Sequence, residues 1–254
     1  MLSLTENLLV LVIVMGASMA FMAGLNRIWP IKKRYEANDR IGWQLSVLGT
    51  TYAVILGFML NNEWNNFRAA SLNADLEASA LRNVFRLAEG LPPPQRERLE
   101  ALTRGYAKAV IEQDWPQMQA GAVPEGSHAF NEQMWKALLA APAGGGAPGV
   151  AADHALSQVA ELTTHRRTRL LQSHEGLPAI FWCVLLVGGL LTTLSVSMFG
   201  AVSSRLHTFQ VFSVTLLVTL AMLAIADVGS PYRGWVHVDS LPFERALQNM
   251  AEVR

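Results

Sequence analysis

The sequence predicts an all-α membrane protein: four transmembrane helices, with a helical-bundle extramembrane insertion between the second and the third. Three observations carry that expectation. Residues 8–25, 41–60, 179–199 and 211–226 are apolar stretches without a single Lys, Arg, Asp or Glu. At roughly 16 to 21 residues and about 1.5 Å per residue, each matches about 30 Å of hydrocarbon. The composition agrees, with 51% hydrophobic and only 16% charged residues in a chain of 254. Between residues 61 and 177 the pattern is that of a soluble helical protein, with helical periodicity and no strand-like alternation.

Taken in order, the first span is not read as a cleavable signal, because Met1 to Thr5 carry no basic side chain and Glu6 follows. The second span meets no proline between Ile41 and Leu91, so one helix is expected to leave the membrane and run to about Ala88 or Glu89. Gly90-Leu91-Pro92-Pro93-Pro94 is its stop. Leu72, Leu76, Ala80, Val84 and Leu87 share a face of that extension and are expected to pack. A helix from Pro94 to about Trp115 follows, with Leu99, Leu102, Tyr106 and Val110 in phase and Pro116 as its stop. Phe130, Met134 and Leu138 mark a shorter helix. The run from Ala141 to Gly149, rich in Gly, Ala and Pro, reads as a flexible link. The fourth helix runs from about Asp153 to His174, with Leu156, Val159, Leu162, Arg166 and Leu170 near one edge. Gly176 and Pro178 then break the chain before the third span. The expected organisation is residues 1–60 for spans one and two, 61–177 for an antiparallel helical bundle, 178–227 for spans three and four, and 228–254 as a tail.

Charge near the span ends sets the expected orientation. Arg27, Lys32, Lys33, Arg34 and Arg40 crowd the first connection and Arg205 sits in the third, which favours the cytoplasmic side for both. Both termini and the middle region then lie outside, in a bacterial inner membrane. Arg233, Arg245 and Arg254, with Arg166, Arg167 and Arg169, pull the other way. Trp29, Trp43, Trp64, Trp182 and Trp235 are placed as an interfacial belt.

The formal net charge is zero and no basic run is long enough to follow a phosphate backbone, so nucleic acid is not an expected partner. The single cysteine, Cys183, forms no internal disulfide. His154 and His165 share a helix face but sit about 16 Å apart along it, too far for one ion. Glu97 with Glu100, and Glu112 with Asp114, read as solvated acids. No catalytic motif is present, and neither enzyme activity, metal nor cofactor is expected.

Polar and small residues in the spans give the candidate sites. Gly42, Ser46, Gly49, Ala53 and Gly57 recur every three or four residues and form a stripe that admits another backbone. Helix packing explains the stripe without a pore, and a pore lining is the sharper reading. Span hydroxyls are weak signals, since Ser and Thr bond back to their own helix. The exit of the second span is dense in amides around one acid: Asn61, Asn62, Glu63 and Asn66 flank Trp64 and Asn65. In a symmetric oligomer that cluster forms a ring at a pore mouth; in a single helix it is an interfacial cap. Asp227 closes the fourth span, and Arg233 lies beyond the next turn, where the two either pair or are each solvated. A carboxylate so near a span is costly unless paired or wet.

Several of these segments together resemble the bestrophin-like domain family of bacterial membrane proteins. The resemblance rests on Tyr52-Ala53-Val54-Ile55-Leu56-Gly57-Phe58 before Trp64, on Arg86-Leu87-Ala88 with Gly90-Leu91-Pro92, and on Tyr106 with Trp115 and Met118. Arg166-Arg167 with Arg169-Leu170, Leu177-Pro178 before Trp182, and Pro231-Tyr232-Arg233-Gly234 with Pro242-Phe243 extend it. It covers about Gly49 to Leu247. The resemblance implies four transmembrane helices with a helical insertion, and its name implies kinship with bestrophins, which are pentameric anion channels. The chain departs from the family pattern where three residues separate Asp227 from Pro231 and where Tyr232 replaces a usual Phe. No acidic cluster follows the last span to serve as a calcium clasp. Two functions are expected from this: a homo-oligomeric ion channel with the second span at its axis, or a non-conducting scaffold or sensor in the bilayer whose helical bundle binds a partner.

Overall fold

The computed structural model describes residues 4–140, 146–174 and 176–252. The Ala141–Gly145 part of the expected link lies outside them, as do Glu175, Arg254 and the first three residues of the non-signal amino terminus. Every regular element among the described residues is helical, and the chain divides into two compact units.

The first unit comprises Met1–Asn65 and Gly176–Gly229. It contains α1 (Leu4–Ile28), α2 (Ile31–Arg34), the first part of α3 (Asn38–Leu87), α8 (Ala179–Met198) and α9 (Ser204–Val228). Four of these, α1, α3, α8 and α9, are long and apolar enough to cross a membrane. Their outward surfaces are covered in Leu, Val, Ile and Phe, because lipid removes the usual penalty for exposing them. Polar atoms therefore pair internally. Ser18 Oγ lies 3.0 Å from Thr215 Oγ1 and joins α1 to α9, beside a small cluster of Met22, Val196 and Val211. Thr192 and Thr219 bond the carbonyls one turn behind them, as the hydroxyl argument anticipates. The Tyr52 hydroxyl donates to Leu185 O at 2.8 Å and so fixes α3 on α8. Its ring lies against Gly188 and Gly189, where an added Cβ at Gly188 would overlap ring carbons.

The second unit comprises Asn66–Glu175 and Ser230–Arg254. It takes the rest of α3, then α4 (Pro93–Ala109), α5 (Trp115–Ala120), α6 (His128–Leu139), α7 (Ala147–His174) and α10 (Leu241–Glu252). α3 is a single helix of 50 residues, ended by a 3-10 turn at Ala88–Gly90. Leu99, Leu102, Tyr106, Val110, Met134, Leu138, Val159 and Leu162 are all buried.

Several expectations for this unit need correction. Leu72 and Leu76 are 59% and 43% exposed, whereas Ala70, Asn73, Ala74, Glu77, Ala78 and Leu81 face inward. An alanine face lets α3 come close to its neighbours, and it delivers Glu77 to a buried partner described below. Pro116 does not stop the helix after α4. A π turn at Val110–Asp114 precedes it and leads directly into α5, so the proline falls in a first turn, where a missing N–H costs little. The stop is Gly121, at φ +85°. α7 starts at Ala147, earlier than expected. The segment read as a tail is integral: Tyr232, Val238, Phe243, Ala246 and Met250 are buried in this unit's core.

Candidate functional site

α3 carries the candidate path. Gly49 and Gly57 face open space in the single chain, since a Cβ added to either meets nothing within 4 Å. Gly42 alone of the stripe glycines has a close neighbour, with Phe199 Cε2 3.4 Å from where its Cβ would sit. Ser46 and Ala53 are exposed. From Ser46 to Gly57 the stripe is therefore left uncovered by the helices of its own chain.

The exit cluster divides. Asn61 and Asn62 are exposed, and so is Asn66, which counts with the second unit. Glu63 is 4% exposed. It follows Tyr52 by about three helical turns and so shares the face that Tyr52 turns toward α8. Its Oε1 accepts from Asn62 Nδ2 at 3.3 Å, and its carboxylate lies against Gly229, where a Cβ would come within 3.3 Å of Oε2. Gly229 follows the end of α9, two residues after Asp227, which is buried too. Two carboxylates expected at the membrane edge are thus both withdrawn from solvent. Arg233 donates from Nε to Met118 O at 3.0 Å and from Nη2 to Ser173 O at 3.4 Å, which anchors it within the second unit.

The second unit also holds a charged network that the sequence reading missed. Arg169 on α7 is fully buried and grips Glu77 with Nε and Nη2, at 2.8 Å and 3.0 Å. Nη2 also reaches Asp114 Oδ2 at 3.0 Å. Asp114 is therefore no solvated acid: the π turn swings it inward, where Ser127 Oγ donates to it at 2.6 Å. Tyr106 donates to Glu77 at 2.7 Å, and Arg166 Nε donates to Ser127 Oγ at 2.9 Å. The rings of Trp115 and Phe243 flank the Arg169 guanidinium at 5.4 and 6.0 Å. Burial pushes the Tyr106 phenol well above its usual range, and the Glu77 charge adds to this. Burial opposes the Arg169 charge, yet Glu77, then Tyr106 and Asp114, outweigh it and hold its pKa above the ordinary arginine range. The available signal was the lone Glu77 among Ala74, Ala78 and Leu81: an acid on a small-residue face needs a buried cation.

Among the described residues no group of three or more His, Cys, Asp and Glu side chains is placed to hold a metal. What the fold defines is a four-span helical membrane protein with a second helical unit. The family follows from the sequence itself, because the Bestrophin-like domain matches residues 12–243 and the chain belongs to that family. No curated protein matches it by sequence. The fold is similar to crystal structures of a bacterial bestrophin homologue from Klebsiella pneumoniae. One structure, phased with zinc, is 13% identical with a TM-score of 0.69 over 94% of this chain and 96% of that chain. A variant of the same homologue is 12% identical with a TM-score of 0.70 over 97% of this chain and 100% of that chain.

Proposed function

We propose that the protein is a homo-oligomeric ion channel of the bacterial inner membrane, with α3 lining the axis. The observation that carries this reading is the uncovered face of α3, where Gly49, Ala53 and Gly57 leave room for either a neighbouring backbone or a column of water. Asn61 continues past that face with amide groups suited to a hydrated path. Glu63 and Asp227 act from behind it, as buried carboxylates that set a negative field, and Asn62 flanks the exit. Kinship with the bestrophins makes a pentamer the expected assembly. In the proposed topology the first connection is cytoplasmic, both termini lie outside, and residues 61–177 form an extramembrane bundle.

Thiol accessibility tests the lining. Cys183 is exposed and is first replaced by Ser. Ala53→Cys and Gly57→Cys are then introduced singly and the protein reconstituted in planar bilayers. Current that is blocked by a charged, water-soluble thiol reagent supports an α3-lined path. Conductance unaffected at both positions moves the path away from α3. Absence of conductance across voltage, pH and divalent ions favours a membrane scaffold or sensor.

A further inference from the structure

The basic connection between α1 and α3 contains one residue that behaves unlike its neighbours. Arg27, Lys32, Lys33 and Arg40 are exposed, while Arg34 is fully buried. An arginine keeps its charge at any physiological pH. A buried cation is expected to be matched by a carboxylate, since isolated charge in a low-dielectric interior is costly. None of the described carboxylates forms an ion pair with Arg34, and the acids nearest in sequence, Glu36 and Asp39, point to solvent. Its bonds go to neutral acceptors: Nη1 to Ser197 O and Nη2 to Asn26 Oδ1. Its Nε has no partner.

The neighbouring residue has the same deficiency. His207, in the first turn of α9, is 1% exposed and both ring nitrogens lack a hydrogen bond. It lies within electrostatic reach of Arg34 and beside the Ser197 carbonyl that Arg34 already occupies. The turn packed against Arg34 is tightly built. Asn38 Nδ2 donates to Gly200 O at 2.9 Å, and Gly200 N donates to Asn38 Oδ1 at 2.7 Å, which ties the turn between α8 and α9 to the start of α3. A Cβ at Gly200 would overlap the backbone of Arg34 and Tyr35.

We propose that Arg34 and His207 hold a small inorganic anion, of the halide class, as a fixed constituent of this corner of the first unit. Arg34 Nε and the His207 ring are left without hydrogen-bond partners on two elements within electrostatic reach of each other, and the guanidinium lacks a counter-charge. Water would supply acceptors but not neutralise the cation. A halide does both, with Arg34 Nε–H and a His207 N–H as donors. Arg34, Ser197 and His207 are all withdrawn from the surface, which favours a monatomic ion over a phosphodiester headgroup. Such an ion is held, not conducted, so the inference stands whether or not α3 lines a path.

The test uses the full chain in nanodiscs of zwitterionic lipid, exchanged into gluconate buffer and titrated with sodium bromide at constant ionic strength. The unfolding midpoint should rise saturably, by about 3–6 °C at a roughly tenfold excess over the dissociation constant. Arg34→Gln should abolish the rise. A midpoint indifferent to bromide, or an equal rise in Arg34→Gln, overturns the proposal. If anionic lipid alone reproduces the rise and removes the bromide effect, the anion is a headgroup and the halide assignment fails. Should Arg34→Gln not fold, crystals of the unsubstituted protein grown in bromide provide the decision. Anomalous scattering should peak between Arg34 Nε and the His207 ring, and an empty map there at saturating bromide refutes the site.

Discussion

Arg169 holds Glu77 by two hydrogen bonds, Nε to Oε2 at 2.8 Å and Nη2 to Oε1 at 3.0 Å, with both side chains shut off from solvent. The pair joins α7 to α3 across 92 residues of sequence, and Asp114 and Tyr106 complete its coordination. Such a pair adds little net stability relative to a well-packed apolar core, but its rupture leaves a naked charge. Arg169→Met or Glu77→Gln alone should therefore cost about 3–5 kcal/mol. Arg169→Met combined with Glu77→Gln should cost less than the two added together. Chemical denaturation followed by far-ultraviolet circular dichroism checks this, and strict additivity would show that the pair is not coupled.

The raised phenol pKa of Tyr106 predicts an alkaline weakness. Its folded-state pKa lies above the unfolded value of about 10, so folded protein retains a proton that unfolded chain gives up. Stability from this group is complete below pH 10 and declines as pH rises through and beyond that value. Tyr232, raised by burial, contributes in the same direction. Unfolding midpoints measured from pH 8 to 11 should fall, and Tyr106→Phe should show a shallower fall. An identical slope in Tyr106→Phe would remove the phenol from the account.

Glycines in the first unit separate folding from assembly. At Gly188 a methyl group would overlap the Tyr52 ring, so Gly188→Ala should destabilise the chain by about 1–3 kcal/mol. At Gly49 and Gly57 an added Cβ meets nothing within 4 Å in the chain. Gly49→Leu and Gly57→Leu should leave the protomer folded but weaken its oligomer, because close van der Waals contact drives association in lipid. Native mass spectrometry with a thermal assay distinguishes the cases. Unchanged oligomer size in both leucine variants would show that the stripe is no seam.

The buried Glu63 carboxylate should still be felt by a passing ion through a low-dielectric wall. Glu63→Gln removes one negative charge per subunit, and in a salt gradient the reversal potential should move away from cation preference. An unmoved reversal potential would leave Asp227 as the next position to change.

Orientation is open to a fusion test. A reporter active only outside the cytoplasm should be active after Val123, an exposed loop residue, and silent at Lys33. The opposite pattern reverses the proposed topology.

The spans are legible because they are apolar on every side, a pattern that a soluble helix rarely sustains. Leu99 to Val110 and Met134 to Leu138 are legible for the ordinary reason that amphipathic helices bury their apolar stripe. The second half of α3 misleads because its larger side chains, Leu72 and Leu76, turn outward while alanines make the tight contact. Asp114 misleads because the π turn rotates it by a fraction of a turn that 3.6-residue counting does not contain. Arg34 and Arg169 read as membrane-edge charges; their hydrogen-bond partners, Asn26 and Ser197 for the first and Glu77 and Asp114 for the second, show them to be internal. The open side of Gly49 and Gly57 is likewise invisible to a pattern that records size but not neighbours.

Trp115 donates its indole N–H to Val238 O at 3.0 Å, and its ring meets Phe243 and Tyr232 at centroid distances of 5.6 Å. Those three partners are translated after α8 and α9. During synthesis the second unit must therefore wait, with Trp115 and its surroundings lacking a cover, until both later spans have left the ribosome. Completion of its core requires that Tyr232, Val238 and Phe243 have been made, and a chain that stalls within α9 leaves Trp115 without those partners.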